Sequence, residues 1–159
     1  MNTKIMIVND NDEIIEHKNR TSLEKSDIYR VSALWIKNSK GEVLLAKRHL
    51  NKKIHPGKWG PAVSGTNELG ESYESNIIKE AKEEIGLKGY EFEKSKKTRR
   101  FKDYNFFCQW FTLEIDKELE EFTIQKDEVE EIKWFRKDEL AKELEENSDG
   151  FLESIKDSM

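Results

Sequence analysis

Hydrophobic positions along this chain come in short alternating runs, separated by clusters of Asn, Asp, Ser and Gly. Runs of period two predict strands. Residues 4–8 and 13–17 form a first pair. Asn9-Asp10-Asn11-Asp12 between them predicts a tight turn, so the chain is expected to open with a β-hairpin over about 4–17. Residues 20–27 are polar and read as irregular or as a short helix. A strand over 31–37 carries Val31, Ala33 and Trp35 on one face, and Asn38-Ser39-Lys40-Gly41 turns it back into a strand over 42–48. In residues 106–115, Phe106, Cys108 and Trp110 fall on one side and Phe107, Phe111 and Leu113 on the other. A strand that is apolar on both sides is expected at the centre of a sheet covered on both faces. Residues 131–135 predict one more strand and 137–145 a helix. Ser148-Asp149-Gly150 ends that helix, and Phe151, Leu152 and Ile155 pack a short C-terminal one.

The period changes over 72–85, where Ile77, Ile78, Ala81 and Ile85 fall together as the apolar stripe of a helix. Gly86 is placed to end it. Strands and helices without regular alternation predict an α+β fold, an α/β/α sandwich around a mixed sheet. Internal repeats, low-complexity tracts and long linkers are missing from the sequence, so one domain is expected over residues 1–159.

Composition narrows the function. The 159 residues are 38% charged and 35% hydrophobic, with a formal net charge of -5. That leaves enough apolar and aromatic residues for a core and gives no electrostatic footprint for nucleic acid or an anionic membrane. An anionic small-molecule substrate would need a metal ion or local Lys and Arg to neutralise it. The sequence has no stretch of bilayer-spanning length and no signal-peptide pattern. One cysteine, Cys108, fits a reducing compartment. A cytoplasmic protein is the expectation.

The candidate chemistry lies in one block: Gly65, five residues, Glu71, seven residues, then Lys79-Glu80-Ala81-Lys82-Glu83-Glu84-Ile85-Gly86-Leu87. On a helix Glu80, Glu83 and Glu84 share one face, and like charges four apart repel. Glu83 and Glu84 also sit in the last turn, facing the negative end of the helix dipole, at about 0.3–1 kcal/mol each. A divalent cation on this face would offset both penalties. Without one, the same residues read as a solvated surface.

The block resembles the Nudix box, the signature of the Nudix hydrolases. Lys79 replaces the usual Arg, and Ala81 is a small occupant of an aliphatic position. Tyr29-Arg30, residues 44–48, Pro56-Gly57-Lys58-Trp59 and residues 128–135 are similar to strings at matching places in that family. The resemblance implies a hydrolase that cleaves diphosphate linkages in nucleoside diphosphate derivatives or polyphosphates with Mg²⁺ or Mn²⁺. It implies Glu80, Glu83 and Glu84 as metal ligands, with the Ser64 or Gly65 carbonyl as a further one. Glu71, Lys79 and Gly65 become supporting residues. For the general base it favours Glu83, with Glu128, Glu130 and Glu131 as candidates from a loop. The partner implied is a small diphosphate substrate, a nucleotide by family habit, and a homodimer accords with that habit. Two other readings remain: a relative of isopentenyl-diphosphate isomerase, and a domain that binds a nucleotide without cleaving it. The isomerase needs a catalytic Cys before the box, and residues 59–64 contain none.

Arg30, Arg48 and Lys58 are the substrate-phosphate candidates, along with Lys53; Arg99, Arg100 and Lys102 are candidates for a phosphate-accepting rim. Each also reads as an ordinary surface charge. Trp59, Tyr104, Phe106 and Trp110 are either base-stacking rings or core. His17, His49 and His55 show no metal-ligand spacing. Cys108 reads as a small buried hydrophobe.

Overall fold

The computed structural model describes residues 3–158, so Met1, Asn2 and Met159 at the ends of the expected domain lie outside the described residues. Strands β1 (Lys4–Val8) and β2 (Ile14–Asn19) form a separate antiparallel hairpin, slightly longer than its sequence pattern suggests. The main sheet has seven strands, in the order β5-β4-β3-β8-β7 with β6 paired to β3 and β9 to β4. In chain order these are β3 (Tyr29–Lys37), β4 (Val43–Arg48), β5 (Trp59–Pro61), β6 (Val63–Thr66), β7 (Glu93–Arg100), β8 (Phe106–Glu114) and β9 (Val129–Phe135). β3 runs parallel to β8 and antiparallel to β4 and β6, so the sheet is mixed.

Alternation along the central strands sorts the core into two layers. Leu34, Ile36 and Phe111 face α1 (Tyr73–Ile85) on one side. Ala33, Trp35, Cys108 and Trp110 face Leu140 and Leu144 of α2 (Lys137–Glu146) and Ile155 of α3 (Ile155–Ser158) on the other. β8 is thus covered on both faces, and the α/β/α sandwich follows from its two-sided apolar pattern. Among the described residues no helix is long and apolar enough to cross a membrane.

One sequence expectation is corrected in α1. Ile78 is 56% exposed, whereas Tyr73, Ile77, Ala81 and Ile85 are buried. Residues at intervals of four make the stripe, and Tyr73 holds its first place. The helix is closed at both ends by its own sequence. Ser72 Oγ accepts from the Ser75 N–H and Ser75 Oγ accepts from the Ser72 N–H, both at 3.0 Å. Gly86 takes φ +72°, and the N–H of Leu87 reaches the Ala81 carbonyl at 3.0 Å.

The N-terminal hairpin is pinned to the sandwich at Asp12, a turn residue at φ +61°. Its carboxylate accepts from Arg30 Nε at 2.8 Å, Tyr73 Oη at 2.8 Å and Lys97 Nζ at 2.6 Å, joining β3, α1 and β7. Burial alone would raise its pKa, but the donors Lys97, Arg30 and Tyr73 outweigh it and hold the carboxyl below the ordinary 3.8. Asp12→Asn keeps a residue tolerant of this backbone and leaves part-buried Arg30 and exposed Lys97 without a counter-charge, at a cost of about 1–3 kcal/mol. Because the folded pKa is depressed, this stability is present above the unfolded value and lost as pH falls through the folded one. Urea melts of wild type and Asp12→Asn are therefore expected to differ fully at pH 7 and to converge below pH 3.8.

Candidate active site

β6 and α1 bring the two halves of the carboxylate block together. A Cβ on Gly65 would lie 2.5 Å from Glu80 Cγ and 2.7 Å from Cδ, so the absence of a side chain there lets Glu80 lie against the strand. Lys79 Nζ is 2.8 Å from Glu71 Oε2 and 3.6 Å from Glu80 Oε1, bridging the start and middle of the block. Glu71 also accepts from the Glu68 N–H at 2.7 Å and Asn76 Nδ2 at 3.1 Å. Burial opposes the charge on Glu71, but Lys79 and these donors hold its pKa down.

The helix C-terminus recruits the loop that completes the site. The Gln125 N–H donates to the Glu84 carbonyl at 2.8 Å and the Thr123 N–H to the Ile85 carbonyl at 3.2 Å. These bonds satisfy carbonyls that the last turn leaves open and bring Glu128 to the same cleft as Glu80, Glu83 and Glu84. The cleft has a volume of about 370 Å³. Arg20, Lys47, Arg48 and Lys52 also line it, with Lys52 paired to Glu128.

Charge in the cleft is unevenly compensated. Burial raises the Glu80 pKa, Lys79 opposes that, and Glu83 adds to it. Glu84 is pushed well above the usual carboxylate range, first by burial and then by Glu80 and Glu128. Its Oε2 is sealed from solvent and has no hydrogen-bond partner among the described residues. Among the described residues no group of three His, Cys, Asp or Glu is drawn tightly enough to hold a metal ion alone. An all-oxygen face with one orphaned carboxylate oxygen nonetheless fits Mg²⁺ or Mn²⁺. Such hard cations take one or two carboxylates and fill the rest of their shell with waters and substrate phosphates.

The cleft opens into a second chamber of about 210 Å³, sharing Tyr29, Ile54, His55 and Leu152 with it. Tyr104, Phe106 and Lys58 line this annex. Leu152 stands between the two chambers because Gly60 admits it: a Cβ there would meet Leu152 Cδ1 at 2.8 Å.

A family model described as NUDIX domain matches residues 28–155. The chain belongs to the NUDIX family. It is similar to an uncharacterized Nudix hydrolase of Yersinia pestis, 24% identical over 151 residues, which are 94% of this chain and 81% of that protein. A shorter stretch is similar to the Escherichia coli isopentenyl-diphosphate Delta-isomerase, 42% identical over 53 residues, 33% of this chain and 29% of that one. Among solved structures, a Deinococcus radiodurans protein superposes with a TM-score of 0.84 at 20% identity, covering 96% of this chain and 94% of the other. At that identity the likeness concerns the fold.

Within this NUDIX domain the residues singled out by sequence part company. Gly65, Glu80, Glu83, Glu84, Glu128 and Arg48 line the cleft. Glu71 and Lys79 stand behind it as supports. Arg30 is spent on Asp12 and lies 5.2 Å from the Tyr73 ring centroid, away from the cleft. Lys58 lines the annex instead. Glu131 is exposed on β9, where the register shift sets Val129 opposite Arg48 and Glu131 opposite Lys47, and it is not among the residues lining the cleft. Glu130 pairs with His49 at 3.5 Å. Of the rim candidates, Arg100 is held by Asp157 at 2.7 Å and Lys102 by Glu153 at 3.2 Å. Trp110 is core, and Trp59 stacks edge-on against Phe135 at 5.1 Å. Cys108 is buried in the layer opposite α1, its thiol pKa pushed up by burial. The pattern of the sequence missed Arg20, Lys52 and Gln125, which reach the cleft from irregular segments with no spacing signal.

Proposed function

We propose that this chain is a metal-dependent pyrophosphohydrolase acting on a nucleoside diphosphate derivative or nucleoside polyphosphate. The observation that carries this is the buried Glu84 Oε2, unpartnered among the described residues, in one cleft with Glu80, Glu83, Arg20 and Arg48. Glu80, Glu83 and Glu84 would hold the cation. When bound, it would draw charge from the phosphate oxygens and make water more acidic. Arg48 faces the same space and orients the diphosphate. Water attacks one phosphorus, a new P–O bond forms, and the bridging P–O bond breaks with the leaving phosphate taking the electron pair. Glu83, solvent-facing and without a fixed partner among the described residues, takes the proton of that water. Glu128 is tied to Lys52 and is the second choice. The annex, with Tyr29, Tyr104 and Phe106 on its walls, suits a nucleobase, since a planar heterocycle stacks on aromatic rings. At about 210 Å³ it is below the roughly 300–1,000 Å³ of a complete ligand pocket and takes one end of a substrate.

The similarity to the isomerase gives a second reading its one support. The cleft weighs against it, because Cys108, the only cysteine, is buried away from it. A panel of nucleoside diphosphates, nucleotide sugars and nucleoside triphosphates with Mg²⁺ and Mn²⁺ decides. Cleavage to two phosphate-bearing products, with solvent oxygen in one, is expected for at least one class, and Glu83→Gln should lower kcat more than Glu128→Gln. Nucleotide binding without any cleavage would overturn the hydrolase in favour of a sensor. Cys108-dependent proton exchange into isopentenyl diphosphate would overturn it in favour of the isomerase.

A further inference from the structure

The NUDIX match begins at residue 28, yet Arg20 of the preceding segment lines the cleft. Arg20 opens the short 3-10 turn Arg20–Ser22 that follows β2. It is fixed at both ends. Its backbone N–H donates to the Thr3 carbonyl at 2.8 Å, within the hairpin. Its guanidinium Nη2 donates to Thr66 Oγ1 at 3.1 Å, on the strand that carries Gly65. The hairpin is itself tied to the loop entering α1, where the Leu69 N–H donates to the Lys4 carbonyl at 2.9 Å, and to β3 through Asp12 and Arg30. The appendage therefore holds a cation at the edge of the site rather than merely covering the sheet.

The charges of the cleft leave that cation uncommitted. Lys52 is paired with Glu128 and Lys79 with Glu71. Among the described residues neither Arg20 nor Arg48 has a carboxylate oxygen within 4.0 Å, although Glu80, Glu83, Glu84 and Glu128 share their cleft. Arg48 spends Nε on the Ile54 carbonyl at 2.9 Å, and Arg20 spends one N–H on Thr66. A guanidinium carries five N–H donors, so each retains most of its fork. Glu84 and Glu128 act on Arg48 more strongly than Arg20 repels it, yet the N–H donors of the two forks stay open to an anion between them. Phosphate oxygens suit the planar, bidentate geometry.

We propose that Arg20 is a substrate-binding residue contributed from outside the NUDIX segment, forming with Arg48 an arginine clamp on the diphosphate of the substrate. This rests on the diphosphate reading of the cleft. Arg20 and Arg48 share the cleft with Glu80, Glu83 and Glu84, so the clamp takes phosphate oxygens that those carboxylates leave free. Thr66 positions the Arg20 fork.

Calorimetric titration of inorganic diphosphate into the full chain, in metal-free buffer of low ionic strength, tests it. Arg20→Gln is expected to weaken binding about tenfold or more, and Arg20→Lys to fall between it and wild type, because a point charge replaces a fork. Lys96→Gln, which removes the same charge from an exposed position on β7, should leave binding unchanged. Thermal midpoints of Arg20→Gln and wild type should agree. Equal binding by Arg20→Gln and wild type, an equal loss in Lys96→Gln, or no binding by wild type would each overturn the clamp. Arg20-dependent diphosphate binding with every compound of the substrate panel left intact would retain the clamp and remove only the hydrolase.

Discussion

Glu84→Gln is expected to lower kcat with Mg²⁺ about 10³-fold while making the metal-free protein more stable. A factor of 10³ is roughly 4 kcal/mol of transition-state stabilisation, within what a catalytic cation supplies. The opposite sign on stability follows from the same atoms. Glu84 Oε2 is buried without a partner among the described residues, and burial, Glu80 and Glu128 all raise its pKa well above the ordinary 4.5. For an acid whose folded pKa is raised, the folded state holds more protons than the unfolded one between the two values. Stability of the metal-free protein is therefore expected to fall as pH rises from 4.5 through the raised value. An amide cannot ionise, so Glu84→Gln removes that slope. Metal binding should compensate it in wild type. At a concentration 100 times Kd a ligand of the native state adds about 2.7 kcal/mol, on the order of 5–10 °C in Tm. Scanning calorimetry with and without Mg²⁺ should show this shift in wild type and lose most of it in Glu84→Gln. A variant that kept both its activity and its metal-dependent Tm would remove Glu84 from the site.

Gly65→Ala is expected to damage activity and stability together. The new Cβ would stand 2.5 Å from Glu80 Cγ, closer than two carbons approach, so either Glu80 or the β6 backbone must move. Overpacking of this kind costs about 1–3 kcal/mol. Displacing by about 1 Å a carboxylate proposed to hold the cation costs on the order of 10²-fold in rate. The double variant Gly65→Ala/Glu80→Ala separates the two effects. Removing the Glu80 side chain takes away the atoms that clash, so the double variant should unfold at higher denaturant than Gly65→Ala and yet stay inactive. If Gly65→Ala alone matched wild type in both kcat and urea midpoint, the close packing of Glu80 on β6 would have no functional weight.

Gly65 and Glu84 line one cleft, although nineteen positions of sequence separate them. Their spacing was legible because each obeys a local rule. Strand alternation, a helix with a period-four stripe and a glycine terminus are set by neighbouring residues, so the two-sided strand β8, the helix α1 and its end at Gly86 could be read from the chain. Ile78 was misplaced because a helical wheel places a stripe only to within one residue, and packing against the sheet chose Tyr73 and rejected Ile78.

The sequence by itself determined the mixed α/β/α architecture, the carboxylate face of Glu80, Glu83 and Glu84, and membership of the family whose signature they carry. Only the tertiary structure decided which charges meet those carboxylates. Arg30 was taken by Asp12 and Glu131 was left exposed outside the cleft lining, while Arg20, Lys52 and Glu128 were brought in from loops and the turn after the hairpin. The physical reason is range: periodicity and capping act over a few residues, whereas an ion pair or a clamp depends on where distant segments dock. Arg20 and Thr66 are 46 positions apart, and their hydrogen bond exists only because the hairpin packs on β3 and on the loop that enters α1.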